Sequence, residues 1–329
     1  MRYLIVDTAN TFFRARHSAS RQSDTWDKLG FAIHLTLSSV AKCWREQKAD
    51  HVVFCLEGRS WRKDVYEPYK KNRAVARAAL TEKEQEEDKM FWETFDDLRN
   101  FLVTKTNCTI LQHEELEADD LIAGFIQAHP NDHHTIVSSD TDFHQLLSEN
   151  VNQYNGVADE LHSLEGIFDG TGKPVIDKKT KLPKKIQDPK WILFEKCIRG
   201  DTSDNIFSAY PGVRTKGSKN KVGLTEAFED RDKKGYNWNN LMLQRWTDHN
   251  GVEHRVIDDY ERNCILVDLT AQPDHIKEKI AVTIANGAVK KTRPMVGAQF
   301  LKFCGKYDLV KLSDHATQYS EVLGSEYPK

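Results

Sequence analysis

Short apolar runs bounded by polar turns alternate, along the first half of the chain, with longer segments whose apolar residues recur every three or four positions. Runs of the first kind read as strands buried on both faces, and their alternation with helices predicts an α/β fold built on a mostly parallel central sheet flanked by helices. Strands are expected at 3–6, 51–56, 108–111, 135–138 and 151–154, and helices at 25–47, 82–104, 118–128 and 143–147. Phe91, Phe95, Leu98 and Leu102 form one stripe on the second helix, and Leu121, Ile122 and Phe125 do so on the third. Both stripes belong to a core rather than to a ligand site.

From Gly166 to Pro189 the pattern changes to glycine, proline and lysine. This stretch reads as a hairpin or extended insertion, either a contact for a nucleic-acid backbone or a solvated linker. Beyond Pro189 the chain turns helical, with expected helices at 191–199, 224–228 and 258–267 and a Gly/Lys-rich turn between the first two. Tyr260, Cys264 and Val267 share one side of the last of these. The final fifty or so residues give no chemical signal.

At 329 residues, 39% of them hydrophobic, the chain exceeds one typical domain and can bury a core plus a second lobe. The run Leu4-Ile5-Val6 is too short for a signal peptide or a membrane span, so no membrane association is expected. Six cysteines lie far apart without a CxxC pair, which disfavours zinc and reads as reduced thiols in a cytoplasmic protein. The net charge of −3 is uninformative, but its distribution is not: basic residues crowd 59–77, 173–196 and 214–221, while acids gather in tight pairs elsewhere.

Those acids carry the argument. Asp7 ends the first expected strand, Glu57 follows the second, and Asp140 and Asp142 follow the strand at 135–138. In an open parallel sheet the carboxyl ends of the strands share one rim, where ligands bind. Glu117, Asp119 and Asp120 open a helix, and Asp201 and Asp204 sit three apart on a tight turn. Singly, each cluster also reads as ordinary helix capping. Jointly they need cations, since like charges about 4 Å apart repel by roughly 4 kcal/mol even at an effective dielectric near 20. An oxygen-only donor set selects Mg²⁺ or Mn²⁺, and two such ions about 4 Å apart serve in-line phosphodiester cleavage. The thirteen histidines are scattered, and no Ser-His-Asp or Cys-His arrangement competes.

With these residues in view, the sequence resembles the phage-type branch of the flap endonuclease and 5′ nuclease family, related to the 5′ nuclease domain of bacterial DNA polymerase I. The likeness runs in order from Leu4 to about Leu269. It is carried by Leu4-Ile5-Val6-Asp7, Trp61-Arg62-Lys63 with Tyr66 to Arg73, Glu117-Ala118-Asp119-Asp120, Ser139-Asp140-Thr141-Asp142, and Gly200-Asp201-Thr202-Ser203-Asp204-Asn205. The resemblance implies a PIN-like nuclease domain over 1–160, a basic insertion over 161–188, and a helical DNA-binding lobe over 189–329. A helical arch would span about 70–90 and a helix–three-turn–helix about 200–230.

The resemblance further implies that Asp7, Glu117, Asp119, Asp120 and Asp140 build a first metal site, and that Asp142, Asp201 and Asp204 complete a second. Glu57 stands where the family usually has Asp. Lys70 and Arg73 match the catalytic basic pair at the base of the arch, whose first half, including Lys71 and Arg77, suits phosphate contact. Gly212, Lys216 and Lys219 occupy the place of the duplex-gripping turn, where the family often holds K⁺, although Arg214 stands where glycine is typical. The implied activity is a 5′-3′ exonuclease and flap endonuclease acting in replication or repair on DNA with 5′ ends, flaps or nicks and on RNA primers. Replication proteins are expected as partners, and the protein is expected to be a monomer in the host cytoplasm if phage-encoded.

Two other readings remain. A PIN-type ribonuclease shares the sheet and the acidic rim but lacks the Lys70/Arg73 arch and the Gly-rich clamp. A DNA-binding accessory protein with a non-catalytic metal site would have less reason to keep the acids. An aspartyl-nucleophile phosphatase would want Asp where Ala9 stands.

Overall fold

The computed structural model describes residues 1–18, 24–219 and 221–328. In chain order the elements begin β1 (Arg2–Asp7), α1 (Thr8–Ser18), α2 (Thr25–Gln47), β2 (His51–Cys55), α3 (Arg62–Val65), α4 (Lys71–Ala78) and α5 (Glu82–Lys105). They continue with β3 (Thr109–Leu111), α6 (Ala118–Ala128), β4 (His133–Val137), a 3-10 turn (Thr141–Leu146), β5 (Val151–Asn155), β6 (Glu160–Ser163) and β7 (Gly166–Asp169). Then come α7 (Pro189–Arg199), α8 (Leu224–Glu229), α9 (Tyr236–Met242), β8 (Arg245–Thr247), β9 (Glu253–Arg255) and α10 (Val256–Val267). The chain closes with α11 (Asp274–Gly287), α12 (Val296–Lys306), α13 (Val310–Ser313) and α14 (Ala316–Gly324). By its contacts it divides into two compact units, one of Met1–Ser60, Leu80–Ile186 and Asp274–Lys329, the other of Trp61–Ala79 and Gln187–Pro273.

The first unit is built on a seven-stranded sheet of order β3-β2-β1-β4-β5-β6-β7. The first five strands in that order run parallel, and β6 and β7 add antiparallel pairings at one edge. Every residue of β2 is buried, as are five of the six in β1, which explains their nearly unbroken apolar character. Thr81 caps α5 reciprocally with Glu84, and Asp24 caps α2, so both long helices start where a side chain can take an orphan amide.

Two expectations need correction. The 143–147 segment is a 3-10 turn opened by Asp140, too short and too polar at its start for an α-helix. The final segment, expected within the second lobe, packs in the first unit instead. Phe303 stacks on Phe101 of α5 with ring centroids 4.5 Å apart, and α11 lies so close to α6 that a Cβ on Gly124 would come within 2.2 Å of Ile280. The apolar residues of α12 and α14 join those of α5 and the sheet in one core, while Ile280 and Ile284 of α11 pack against α6.

The second unit gathers Phe194, Ile198, Leu224, Trp238, Leu241, Met242 and Val256 into one core. Asp188 caps α7, with Pro189 in its first turn, where a missing N–H costs nothing. A second cluster joins Tyr69, Cys197, Ile206, Leu266 and Val267. The buried Arg62 is anchored by its Nε donating to the Leu266 carbonyl at 2.9 Å. This ties the 61–79 segment, distant in sequence, to α10.

Candidate metal centre

In the first unit β3, β2, β1 and β4 are neighbours and parallel, so their carboxyl ends form one rim. Asp7 is the last residue of β1, Glu57 lies just past β2, Asp140 just past β4, and Glu117 precedes α6 after β3. With strands about 4.8 Å apart, the four strands span roughly 15 Å. That convergence is the geometry the sequence pattern anticipates.

Hydrogen bonds fix these acids in place. Asp7 is 3% exposed, and both its carboxylate oxygens have donors: the Asn10 amide at 3.2 Å and the Ser138 hydroxyl at 2.9 Å. The amide of Asp140 in turn donates to Ser138 Oγ at 3.1 Å, so one hydroxyl links two carboxylate-bearing strand ends. Asp140 Oδ1 takes the Asp142 amide at 3.0 Å, and the Gln153 side chain on β5 donates to the Ser138 and Asp140 carbonyls. On the other flank Ser60 donates to Glu117 at 2.6 Å, and the Glu117 amide donates to the fully buried Asp120 at 3.1 Å.

Glu57 is exposed and accepts from the Ala118 amide at 3.2 Å. It therefore ties the end of β2 to the first turn of α6, a span that suits the longer side chain. Asp119 and Asp120 sit in that same first turn, where the positive end of the helix favours carboxylates. Cys55, at the end of β2, feels this negative rim. Burial pushes its thiol well up, and the charges of Asp7, Asp119 and Glu57 push it further. Buried carboxylates with oxygen-only chemistry fit a hard divalent cation.

The second unit positions its acids on a tight turn. Gly200 has φ of 75°, and a Cβ there would meet the Ile206 carbonyl at 2.3 Å, so only glycine fits. Asp201 and Ile206 exchange backbone hydrogen bonds of 2.9 and 2.7 Å, and the turn brings carboxylate oxygens of Asp201 and Asp204 within 4.8 Å of each other. Asp201 accepts from the Ser203 amide and hydroxyl, both at 2.7 Å, and pairs with Lys196 at 2.6 Å. Burial pushes its carboxyl up, but the Lys196 ammonium and the Ser203 donors outweigh it and hold it at about 2.

Asp204 accepts from Tyr69 at 3.1 Å and Arg73 at 2.5 Å, with the Lys70 ammonium 3.6 Å away. The 68–73 segment is clipped onto this turn by the Lys70 amide on the Asp204 carbonyl at 2.8 Å and by Asn205 on the Pro68 carbonyl at 2.7 Å. Asn72 adds bonds to the Thr202 and Ser203 carbonyls. Lys70 and Arg73 thus converge on one aspartate. Lys71 pairs with Glu67 at 2.6 Å, and Arg77 is exposed on α4.

Gly212 has φ of 73° with open space where a Cβ would stand, and Lys216 and Lys219 are exposed beside it. The loop is held from below by Glu226, whose carboxylate takes the amides of Gly217 and Gly223. Sequence reasoning missed the residues that hold the acids: Asn10, Ser60, Ser138 and Gln153 in one unit, Tyr69 and Lys196 in the other. Ser138 alone carried a signal, standing two residues before Asp140.

A profile of the 5′-3′ exonuclease N-terminal, resolvase-like domain matches residues 2–172, just over half of the chain. The chain belongs to the 5′-3′ exonuclease family. Among curated relatives of this exonuclease-family chain, DNA polymerase I of Rhizobium leguminosarum is 29% identical over 206 residues, 62% of this chain and 16% of that protein. The flap endonuclease of Escherichia phage T5 is 26% identical over 228 residues, 68% of this chain and 69% of that one. The family member described here therefore spans less than a fifth of that polymerase and about two thirds of the phage enzyme. A solved structure of the phage T5 5′-exonuclease with divalent metal ions (zinc) shares the fold, with a TM-score of 0.60, 21% identity, and coverage of 87% of this chain and 99% of that one.

Proposed function

We propose that the chain is a structure-specific 5′ nuclease that hydrolyses phosphodiester bonds in DNA bearing 5′ ends, flaps or nicks, and in RNA primers paired with DNA. The observation that carries this is the convergence of Asp7, Glu57, Glu117 and Asp140 at the carboxyl ends of adjacent parallel strands, with Ser138 and Ser60 fixing two of them. Asp7, Glu117, Asp119, Asp120 and Asp140 would hold one Mg²⁺ or Mn²⁺, with Asp142, Asp201 and Asp204 as ligands to a second. When bound, such ions make water a stronger nucleophile and offset charge on the scissile phosphate.

The protein's own part is positional and electrostatic. Ser138 and Asn10 keep both oxygens of Asp7 oriented, and Gln153 fixes the backbone that presents Asp140. Lys70 and Arg73, which pair with Asp204, would engage substrate phosphate, where an ammonium stabilises developing negative charge. Lys71, Arg77, Lys216 and Lys219 would add sequence-independent phosphate contacts, and Gly212 lets the backbone come close.

K⁺ at the 212–219 loop belongs to the same proposal: the Val213 carbonyl accepts from the Arg199 guanidinium and that of Arg214 from the Leu224 amide, and each keeps a second lone pair that would serve a cation. Among the described residues no helix is long and apolar enough to cross a membrane. A cytoplasmic monomer meeting replication proteins belongs to the same proposal.

The test is cleavage of 5′-labelled flap, nicked and RNA-primed duplexes with Mg²⁺ and with chelator. Metal-dependent release of short 5′ products is expected, with Asp140→Asn or Asp201→Asn abolishing cleavage while DNA binding persists. Undiminished cleavage in either variant, or in chelator, would overturn the reading.

A further inference from the structure

At the β7 edge of the sheet the chain makes a double turn that the metal centre does not use. Six lysines (Lys173, Lys178, Lys179, Lys181, Lys184 and Lys185) and only two acids, Asp169 and Asp177, fall within residues 166–185. This gives four net positive charges in a chain whose total is −3. All six lysines but Lys184 are exposed, and none forms an ion pair within 4 Å among the described residues. The family match ends at residue 172, before the first of them.

The turns are built rather than loose. Asp169 Oδ1 takes the amides of Thr171 and Lys173, and Asp177 Oδ1 takes those of Lys179 and Thr180. The Thr171 hydroxyl and these amides lower the Asp169 carboxyl, and the Thr180 and Lys179 amides with the Thr180 hydroxyl lower that of Asp177, so each stays ionised as an acceptor for its turn. Between them Val175 donates to the Ile167 carbonyl, Ile167 to that of Lys184, and Lys184 to that of Val175, closing a three-segment junction on the edge strand. Lys181 sits at φ of 59° in the left-handed region, a conformation the Lys181 amide bond to the Asp177 carbonyl supports.

Lysines that merely guard a sheet edge against pairing would sit on the edge strand itself. Here β7 carries none, its edge is covered by residues 174–176, and the charge is concentrated on the turns. Flexible ammonium groups on a backbone held by these hydrogen bonds suit a repeating polyanion rather than one folded protein epitope. The exposed apolar side chains here are Ile176 and Leu182, with none of the aromatic residues that seat proteins at a bilayer interface.

We propose that this finger is a second, sequence-independent contact for the phosphate backbone of duplex DNA, remote from the acidic rim. β7 lies four strand spacings from β1, roughly 19 Å. The finger would therefore hold a part of the duplex well away from the cleaved bond, affecting grip and not chemistry. The inference rests on the nuclease reading only for the identity of the polyanion.

The experiment measures binding of a fluorescent flap duplex in chelator across a salt series, for the full chain and for K178Q/K179Q/K181Q. Each lost phosphate contact removes about 0.9 from the slope of log K against log [salt], so the slope should fall by between about 2 and 3. The matching K178R/K179R/K181R variant should keep the wild-type slope, and the rate at saturating substrate should be unchanged in both. An unaltered slope in the glutamine variant overturns the proposal, as does a loss confined to anionic phosphatidylserine vesicles. Because binding is read without metal, a wild type that binds but does not cleave would sink the nuclease reading while leaving the finger standing.

Discussion

The hydroxyl of Ser138 donates to the buried carboxylate of Asp7 at 2.9 Å while accepting the amide of Asp140 at 3.1 Å. One side chain therefore sets the orientation of an acid on β1 and the backbone of an acid past β4. Removing a side chain that hydrogen-bonds a metal-ligating group typically changes metal affinity 10- to 100-fold. Ser138→Ala should fold, since a lost hydrogen bond to a buried acid costs about 1 to 3 kcal/mol. It should raise the Mg²⁺ concentration for half-maximal cleavage by about tenfold. A metal titration of flap cleavage checks this, and an unmoved midpoint would reduce Ser138 to a packing role.

Lys70 combines two demands at one position. Its ammonium lies 3.6 Å from Asp204, and its backbone is left-handed, with φ of 54°, so that its amide can reach the Asp204 carbonyl. A side chain at such φ costs roughly 1 to 2 kcal/mol relative to glycine. Lys70→Gly and Lys70→Ala should lose the same share of turnover, because both remove the charge. Lys70→Gly should nevertheless be the more stable of the two by about 1 kcal/mol. Urea unfolding alongside single-turnover rates separates charge from backbone. Equal stabilities would mean that the turn relaxes when the side chain is lost.

Much of this was legible in the sequence. The helix Ala118–Ala128 and the long helix from Thr25 match their expected bounds, and each expected strand lies within two residues of its observed limits. Strong periodicity and punctuation by polar turns decide such elements locally. The short strands β6 and β7 carry four residues each, too few for a pattern to declare itself. The helix α1 directly after Asp7 was also unread, because it has no acidic first turn and little apolar bias.

The acids were legible because carboxylates after successive strands are a pattern along the chain. Their holders were not, since Ser60 and Glu117 are 57 positions apart and only the fold brings them to 2.6 Å. Lys196 on Asp201 was hidden for a different reason, because a lysine near the end of a helix is unremarkable until its ion pair is seen. The placement of the last segment depended on which open core its apolar helices could complete, a question of long-range packing.

That packing is testable at Gly124. A Cβ there would stand 2.2 Å from Ile280 Cγ2 and 3.3 Å from Ile284 Cδ1, so α6 and α11 would have to separate. Overpacking of this kind costs about 1 to 3 kcal/mol. Gly124→Ala should lower the melting temperature, and Gly124→Ala with Ile280→Ala, which removes the clashing Cγ2, should recover part of the loss. Since α6 begins with Asp119 and Asp120, the single variant should also weaken metal-dependent cleavage. A Gly124→Ala protein as stable as wild type would mean that α11 is not seated against α6.

Acid should destabilise the protein through two histidines far from the metal rim. His51 on β2 and His134 on β4 flank Tyr3 of β1 and are 0% and 1% exposed. His51 Nε2 accepts the Thr109 amide at 3.1 Å, and His134 Nε2 lies 2.9 Å from the His129 carbonyl. Burial pushes both rings down to about 4, the neighbouring carbonyl and carboxylate groups offsetting only part of it. The unfolded chain, with histidine near 6.5, takes up protons first. The stability each neutral ring contributes is therefore intact above about pH 6.5, declines as pH falls, and is lost by about pH 4. Each ring accounts for roughly 3 kcal/mol at most. Urea midpoints at neutral pH and at about pH 5 should differ clearly for the wild type, and His134→Gln should remove part of the difference. An identical acid response in His134→Gln would assign the effect to other groups, because a residue that no longer titrates cannot carry it.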